Sequence, residues 1–278
     1  IPIFFSNLAI PLVGIVDTSL MGHMENEKFL IAVSISTTFL TMIFWSFGFL
    51  RMGTVGLISQ SLGKADYREI VHIILRNILI AIFISFLIII FKPLILYFLN
   101  QVFETSTQTK MLIDEYISIR VFSAPAELIA YVLVGFYLGI QKTVISSLLI
   151  TISSLLNIIL SIYFVKELNL NVSGVALGTL VAFYITILIF SIYTYLFIIK
   201  KFKIIPRFNN RNIFNYKKIL KLLNINLNIF IRTILLTFSF FWVSYLGSTL
   251  GEEYVAVNSI LIQFILISSF FLDAYAFS

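Results

Sequence analysis

The feature that most constrains this chain is a series of apolar stretches, each long enough to cross a lipid bilayer as a helix. About 20 helical residues span a hydrocarbon core roughly 30 Å thick. Eight such stretches can be counted in the 278 residues. They lie near residues 3–22, 29–59, 70–99, 111–139, 143–165, 173–199, 219–246 and 253–278. Because the three longest exceed the bilayer span, we expect them to tilt, protrude or break.

The composition favours one protein class and argues against several others. Hydrophobic residues make up 60% of the chain and charged residues 12%, and the mean hydropathy is +1.04. Soluble domains do not reach such values, so the sequence predicts an all-α, multi-pass membrane protein. There is no cysteine, and the two histidines, His23 and His72, are far apart. We therefore expect no metal, no cofactor and no enzyme, and the missing G-x-x-x-x-G-K-[ST] loop argues against an ATP-driven pump.

The distribution of charge predicts an orientation in the membrane. Residues 200–221 contain eight basic and no acidic residues, and residues 63–76 are also basic. The connections at 22–28 and 247–253 are acidic. Since basic loops stay on the cytoplasmic side, the N-terminus is predicted to be cytoplasmic and the protein to reside in the plasma (inner) membrane. We assign the basic loop to topology and the bilayer surface, not to nucleic acid.

Asp17 is the first candidate for a functional residue. Residues 1–22 carry no other charge. A lone aspartate at the centre of a membrane helix is unfavourable by about 2.5–3.5 kcal/mol, so a chain that keeps one there has a use for it. The orientation above places Asp17 in the outer half of the first helix. The alternative is that Asp17 only forms a hydrogen bond between helices.

A short internal repeat predicts two lobes. Residues 31–35, Ile-Ala-Val-Ser-Ile, are similar to residues 255–259, and residues 49–52 to residues 271–274. An even number of helices separates the copies, as in transporters built from two parallel repeats. We predict a six-helix lobe at 1–199, a basic cytoplasmic loop at 200–218 and the first two helices of a second lobe at 219–278. The chain begins at Ile1 and stops within an apolar stretch, so we expect a fragment of a monomeric transporter.

Several motifs together resemble the multidrug and toxic compound extrusion family, most closely its DNA-damage-inducible protein F branch. They occur in the expected order over nearly the whole chain. The stretches that carry the resemblance are 11–23, 50–63, 120–142, 157–165, 174–179, 232–233 and 256–260.

The resemblance implies a twelve-helix exporter that works by alternating access and is driven by a proton or sodium gradient. Its substrates would be cationic or amphipathic organic compounds. The family's coupling aspartate corresponds to Asp17, and its partners on helices five and six correspond to Asn157, Ser161 and Thr179. Relatives carry an aspartate where this chain has Ser161. Because fewer anionic oxygens bind a hard cation less well, we favour protons over sodium.

Five further charges lie within apolar stretches and are assigned to the cavity or to contacts between lobes. They are Arg51, Arg120, Glu127, Arg232 and Asp273. Arg120 and Glu127 share one helix face, but at seven residues apart we expect them to be too distant for direct contact. Arg51 needs a partner that the sequence does not name. Arg232 and Asp273 either pair or contact further helices.

Two other functions stay open at this stage. A lipid-linked-sugar flippase of the same superfamily would need several cationic side chains in its cavity, whereas the best cavity residue here is an acid. The second possibility is a partial copy without function. A polar stripe on helix five (Ser153, Ser154, Asn157 and Ser161) fits either a cavity or hydrogen bonding between helices.

Overall fold

The computed structural model describes residues 2–24, 27–102, 106–204 and 227–236, with a few isolated positions further on. Every secondary-structure element in these residues is helical. The helices are α1 Pro2–Gly22, α2 Glu27–Ser46, α3 Phe49–Gly63, α4 Tyr67–Ile90, α5 Lys92–Val102, α6 Thr107–Arg120, α7 Ala124–Gly139, α8 Thr143–Lys166, α9 Asn171–Phe202 and α10 Leu227–Leu236. A 3-10 turn, Val121–Ser123, joins α6 to α7.

Five described helical runs are long and apolar enough to cross a membrane. They are Lys28–Gly63, Tyr67–Ile90, Thr107–Gly139, Thr143–Lys166 and Asn171–Phe202. The first predicted stretch forms α1, a single helix of 21 residues. Of the last two predicted stretches, the structure describes α10 and scattered positions, so their extent stays a prediction.

Each of the three longest predicted stretches contains a break. The stretch 29–59 divides into α2 and α3 at Phe47 and Gly48, where backbone hydrogen bonds reach back three residues: the Phe47 N–H to Phe44 at 2.9 Å and the Gly48 N–H to Trp45 at 2.9 Å. This tighter winding ends one α-helix and starts another. Of the three expected outcomes for an over-long stretch, namely tilting, protruding or breaking, this stretch shows a break.

Proline accounts for the other two breaks. Pro93 has no N–H to donate to Ile89, so the helix of stretch 70–99 divides at Phe91 into α4 and α5. Pro125 likewise cannot donate to Val121. The Ala124 N–H bonds the Val121 carbonyl instead, and this i→i−3 bond closes the 3-10 turn between α6 and α7.

The helices pack around α7. This helix contacts α3, α4, α8 and α9, and most of its side chains are buried. Close packing with α3 depends on Gly135: a Cβ there would lie 2.6 Å from the Arg51 carbonyl oxygen. Helices α1 and α9 both pack against α8. Three helices thereby meet at the residues singled out in the sequence.

Contacts between helix termini define the two ends of the bundle. Lys28 at the start of α2 donates to Gln108 at the start of α6 at 2.8 Å. At the opposite end, Tyr67 at the start of α4 stacks on Phe202 at the end of α9, with ring centroids 4.9 Å apart. The connections 63–67, 139–143 and the chain after 202 therefore lie at one end of the bundle.

Candidate functional site

The structure brings Asp17, Asn157, Ser161 and Thr179 together inside the bundle. Asp17 comes from α1, Asn157 and Ser161 from successive turns of α8, and Thr179 from α9. Their exposed fractions are 4%, 3%, 0% and 5% in that order. Four polar side chains from three apolar helices therefore share one buried site, which we name the Asp17 cluster.

An ordered chain of hydrogen bonds runs through the Asp17 cluster. The Ser161 hydroxyl donates to Asn157 Oδ1 at 3.3 Å, and Asn157 Nδ2 donates to Thr179 Oγ1 at 2.8 Å. The Thr179 hydroxyl in turn donates to the Val175 carbonyl at 3.1 Å. Both ends of the Asn157 amide are therefore satisfied, which fixes its orientation.

Asp17 is the member of the cluster with hydrogen-bonding capacity to spare. Its carboxylate has Ser161 as a hydrogen-bonding neighbour. Its Oδ1 atom is buried and has no hydrogen-bond partner among the described residues. An unpartnered carboxylate oxygen in an apolar bundle is unfavourable when charged, and a proton or a cation relieves this. The geometry therefore suits reversible binding of a positive charge.

A glycine on α9 explains how Thr179 reaches Asn157. A Cβ added at Gly178 would lie 2.5 Å from Ser161 Oγ and 2.7 Å from the Ser161 backbone nitrogen. Only a residue without a side chain allows α8 and α9 to come so close. This close packing at Gly178 positions Thr179 beside Asn157.

A second buried polar cluster surrounds Arg120 and Glu127, and it corrects the expectation that these two residues are too far apart for contact. Their side chains form a direct ion pair. The contact forms because helical side chains lean toward the N-terminus, so Glu127 points back toward Arg120. The long arginine side chain spans the remaining distance. Arg120 is 9% exposed and Glu127 6%.

Neighbouring side chains enclose this Arg120–Glu127 pair. Arg120 donates to the Ser123 hydroxyl, which lies 3.0 Å from Glu127 Oε1. The guanidinium carbon lies 5.3 Å from the Phe44 ring centroid and 6.0 Å from that of Phe183. The pair is therefore held by a hydroxyl in the helix break and covered by two aromatic faces.

Sequence reasoning missed Ser123 and Tyr116. Ser123 stands in the break between α6 and α7, where a hydroxyl contacts both charges. Tyr116 is fully buried, hydrogen-bonds with Arg120 and interacts electrostatically with Asp17. Its spacing of four residues before Arg120, on one helix face, was a signal that could have revealed it.

Arg51 and Arg232 do not join either cluster. Arg51 is half-buried and forms no ion pair with any described residue, although it acts electrostatically on Tyr131 of α7. Arg232 is exposed on α10, and Asp273 lies outside the described residues. Within the described part of the chain, no three histidine or acidic side chains come close enough to hold a metal ion.

Comparison with protein families assigns the chain. Residues 2–163 match the model of the MatE family. The chain belongs to the MatE family of transporters. It is therefore a multi-pass membrane protein and not an enzyme, as the sequence predicted.

Curated MatE relatives extend the match. DNA damage-inducible protein F of Escherichia coli K12 is 30% identical over 283 residues, covering 100% of this chain and 60% of the relative. Multidrug export protein MepA of Staphylococcus haemolyticus is 26% identical over 197 residues, covering 69% of this chain and 43% of the relative. The chain thus spans 60% or less of the length of these two relatives.

Solved MATE structures show the same fold. An outward-facing multidrug resistance MATE transporter of the MOP superfamily superposes with a TM-score of 0.83 at 21% identity, covering 97% of this chain and 59% of that one. A MATE in complex with MaD3S superposes with a TM-score of 0.83 at 19% identity, covering 97% of this chain and 60% of that one. At such identities the likeness establishes the fold alone.

Proposed function

We propose that this MatE protein is a secondary active antiporter that exports cationic or amphipathic organic compounds in exchange for protons by alternating access. The observation that carries the proposal is the Asp17 cluster, in which a buried carboxylate with an unpartnered oxygen faces neutral polar groups from α8 and α9. The names of its relatives, a multidrug export protein and a multidrug resistance transporter, support the same class of substrate.

The hydrogen bonds of the cluster suit a proton-dependent switch. When Asp17 is protonated, its O–H donates to Ser161, Ser161 donates to Asn157 and Asn157 donates to Thr179, so every proton has an acceptor. When Asp17 is ionised, the single Ser161 proton turns to the carboxylate, and the Asn157 oxygen loses its donor. Protonation therefore changes how α1 is tied to α8, which biases the conformational equilibrium.

Exchange follows from competition for Asp17. A proton and a cationic substrate both neutralise the carboxylate, so binding of one disfavours binding of the other. Sodium is the less favoured ion because the cluster has one carboxylate, with Ser161 supplying a neutral hydroxyl, and hard cations prefer more anionic oxygens.

The proposed orientation places the N-terminus in the cytoplasm of the cell and the transporter in the inner membrane. The bundle end that carries the 63–67 and 139–143 connections is rich in lysine and arginine, and the chain after 202 continues this basic character. The positive-inside rule assigns that end to the cytoplasm. Asp17, five residues before the end of α1, then lies in the outer half of the membrane. We further propose the lobe boundaries at 1–199 and 219–278, and a monomer.

A flippase for lipid-linked sugars is the second candidate. Such a protein needs unpaired cationic side chains to hold a pyrophosphate. Buried Arg120 and Arg76 are neutralised by Glu127 and Glu69. Half-buried Arg51 has no ion pair among the described residues, but it is one cation where a flippase cavity needs several. The described residues therefore favour the antiporter.

The test is dye efflux from cells that lack their own pumps and express the whole protein as its gene encodes it. Asp17→Asn keeps the size of the side chain and removes its charge, and we expect it to abolish export driven by a proton gradient. Asp66→Asn is the matched control, because Asp66 is exposed at the N-cap of α4 and asparagine caps a helix equally well.

Two results would count against the proposal. If Asp17→Asn exports as well as wild type, Asp17 has a structural role, and the flippase becomes the favoured function. If a sodium gradient drives wild-type export and a proton gradient does not, proton coupling is refuted, and the protein is an antiporter coupled to sodium.

A further inference from the structure

The Arg120–Glu127 pair is a buried ion pair that the exchange cycle proposed above leaves unused. Both charges are buried between apolar helices, and two aromatic rings cover the guanidinium. A buried ion pair adds little net stability compared with apolar residues of the same size, whereas removing one partner leaves an isolated charge. We therefore expect the pair to have a role other than stability.

The position of the pair relative to Asp17 suggests that role. The elements packed against α1 are α8, α2 and α9, and from α8 and α9 the cluster receives the neutral side chains Asn157, Ser161 and Thr179. Among the described residues, the charged group that acts on Asp17 is Arg120. Both Arg120 and Asp17 act electrostatically on the Tyr116 phenol.

Glu127 is the carboxylate that contacts Arg120 directly. It forms the ion pair with the guanidinium, and it also acts on Tyr131 of α7, together with Arg51 of α3. The guanidinium therefore acts electrostatically on Asp17, whereas its direct ion pair is with Glu127.

We propose that Glu127 is a positioning residue for proton exchange: by pairing with Arg120, it keeps that guanidinium from pairing with Asp17 and so leaves Asp17 able to take up and release a proton. This inference rests on the proposed antiport function. Its physical basis is that an unpaired arginine near a carboxylate stabilises the ionised carboxylate, strongly so inside an apolar bundle.

The inference predicts an asymmetry between the two partners. Glu127→Gln leaves a buried cation that turns to Asp17, so proton uptake by Asp17 becomes harder. Arg120→Gln leaves a buried carboxyl group that becomes neutral by taking a proton, so Asp17 is affected less. The double variant Arg120→Gln/Glu127→Gln restores the original net charge near Asp17.

The experiment measures proton-driven dye exchange as a function of pH, using the whole protein reconstituted in liposomes. For Glu127→Gln we expect the pH of half-maximal exchange to fall by about one to three units. The double variant, and Glu127→Asp, which keeps the charge, should retain the wild-type midpoint. Reconstituted protein is quantified for every variant, so that a loss of amount is separated from a shift in midpoint.

The outcomes distinguish positioning from a merely structural role. A structural role lowers the amount of inserted protein for Glu127→Gln and Arg120→Gln alike and leaves the midpoint unchanged, and that result overturns the inference. If little Glu127→Gln is inserted, the midpoint of the inserted fraction still decides, because a midpoint does not depend on the amount of protein; a double variant with a midpoint displaced from that of wild type also overturns the inference. Asp17→Asn separates the two proposals, because an inactive Asp17→Asn beside an unshifted Glu127→Gln refutes only this inference.

Discussion

Replacing Gly178 with alanine tests whether the close approach of α8 and α9 builds the Asp17 cluster. The new Cβ would lie 2.5 Å from Ser161 Oγ, 2.7 Å from the Ser161 nitrogen and 2.8 Å from the Ser161 Cα. The hydroxyl can rotate away, but the nitrogen and the Cα belong to the backbone. Ordinary contact begins at 3.4 Å, so the two helices must separate by about 0.7 Å, since 3.4 less 2.7 is 0.7.

That separation is enough to disturb the neighbouring hydrogen bond. The Asn157–Thr179 distance of 2.8 Å would grow to about 3.5 Å, beyond the usual range for an N–H···O bond. Overpacking a buried contact costs about 1–3 kcal/mol, and the weakened hydrogen bond adds about 1 kcal/mol. We therefore expect the free energy of unfolding to fall by about 2–4 kcal/mol.

The assay is thermal unfolding of the purified protein in detergent, followed by dye export in cells. One kcal/mol corresponds to about 2–4 °C for a domain of 150–250 residues, so the midpoint should fall by at least about 4 °C. Gly56→Ala is the matched control, because a Cβ at Gly56 meets no atom within 4 Å. A Gly178→Ala protein that unfolds and exports like Gly56→Ala would refute the reasoning.

Two further predictions concern packing and hydrogen bonding. Gly135→Ala places a Cβ 2.6 Å from the Arg51 carbonyl oxygen and 2.9 Å from the Thr54 Cβ, so we expect a loss of about 1–3 kcal/mol in the same unfolding assay; a midpoint equal to that of Gly56→Ala would contradict it. Thr179→Val keeps the shape of the side chain but removes the acceptor of the Asn157 amide, and we expect about 1–3 kcal/mol of destabilisation. An unchanged unfolding midpoint for Thr179→Val would show that the amide finds another partner.

Features that depend on local sequence could be read directly from the chain. The apolar stretches predicted the helices of residues 2–202 because the length and hydropathy of a segment are properties of that segment alone. Asp17 stood out in the same way, as the single charge of an apolar helix. The motifs identified the MatE family, which the comparison confirmed.

The break positions were only partly accessible from sequence. Pro93 and Pro125 mark two of them by lacking an N–H. The break at Phe47 and Gly48 has no such marker, because glycine is common in membrane helices and most glycines there do not end a helix. The prediction that Arg120 and Glu127 are too far apart for contact was wrong for a related reason. It used the distance along the helix axis, which ignores the length and the direction of the two side chains.

What the sequence determined by itself is the class of protein, the apolar segments that form helices before residue 203 and the residue types available for coupling. The tertiary structure alone decided which of those residues meet. Asp17, Asn157 and Thr179 lie on three helices, and their convergence depends on the approach that Gly178 allows between α8 and α9. Arg120 pairs with Glu127 beneath Phe44 of α2 and Phe183 of α9, a neighbourhood that separate helices assemble. Contacts between helices arise from complementary surfaces, and no single segment contains that information.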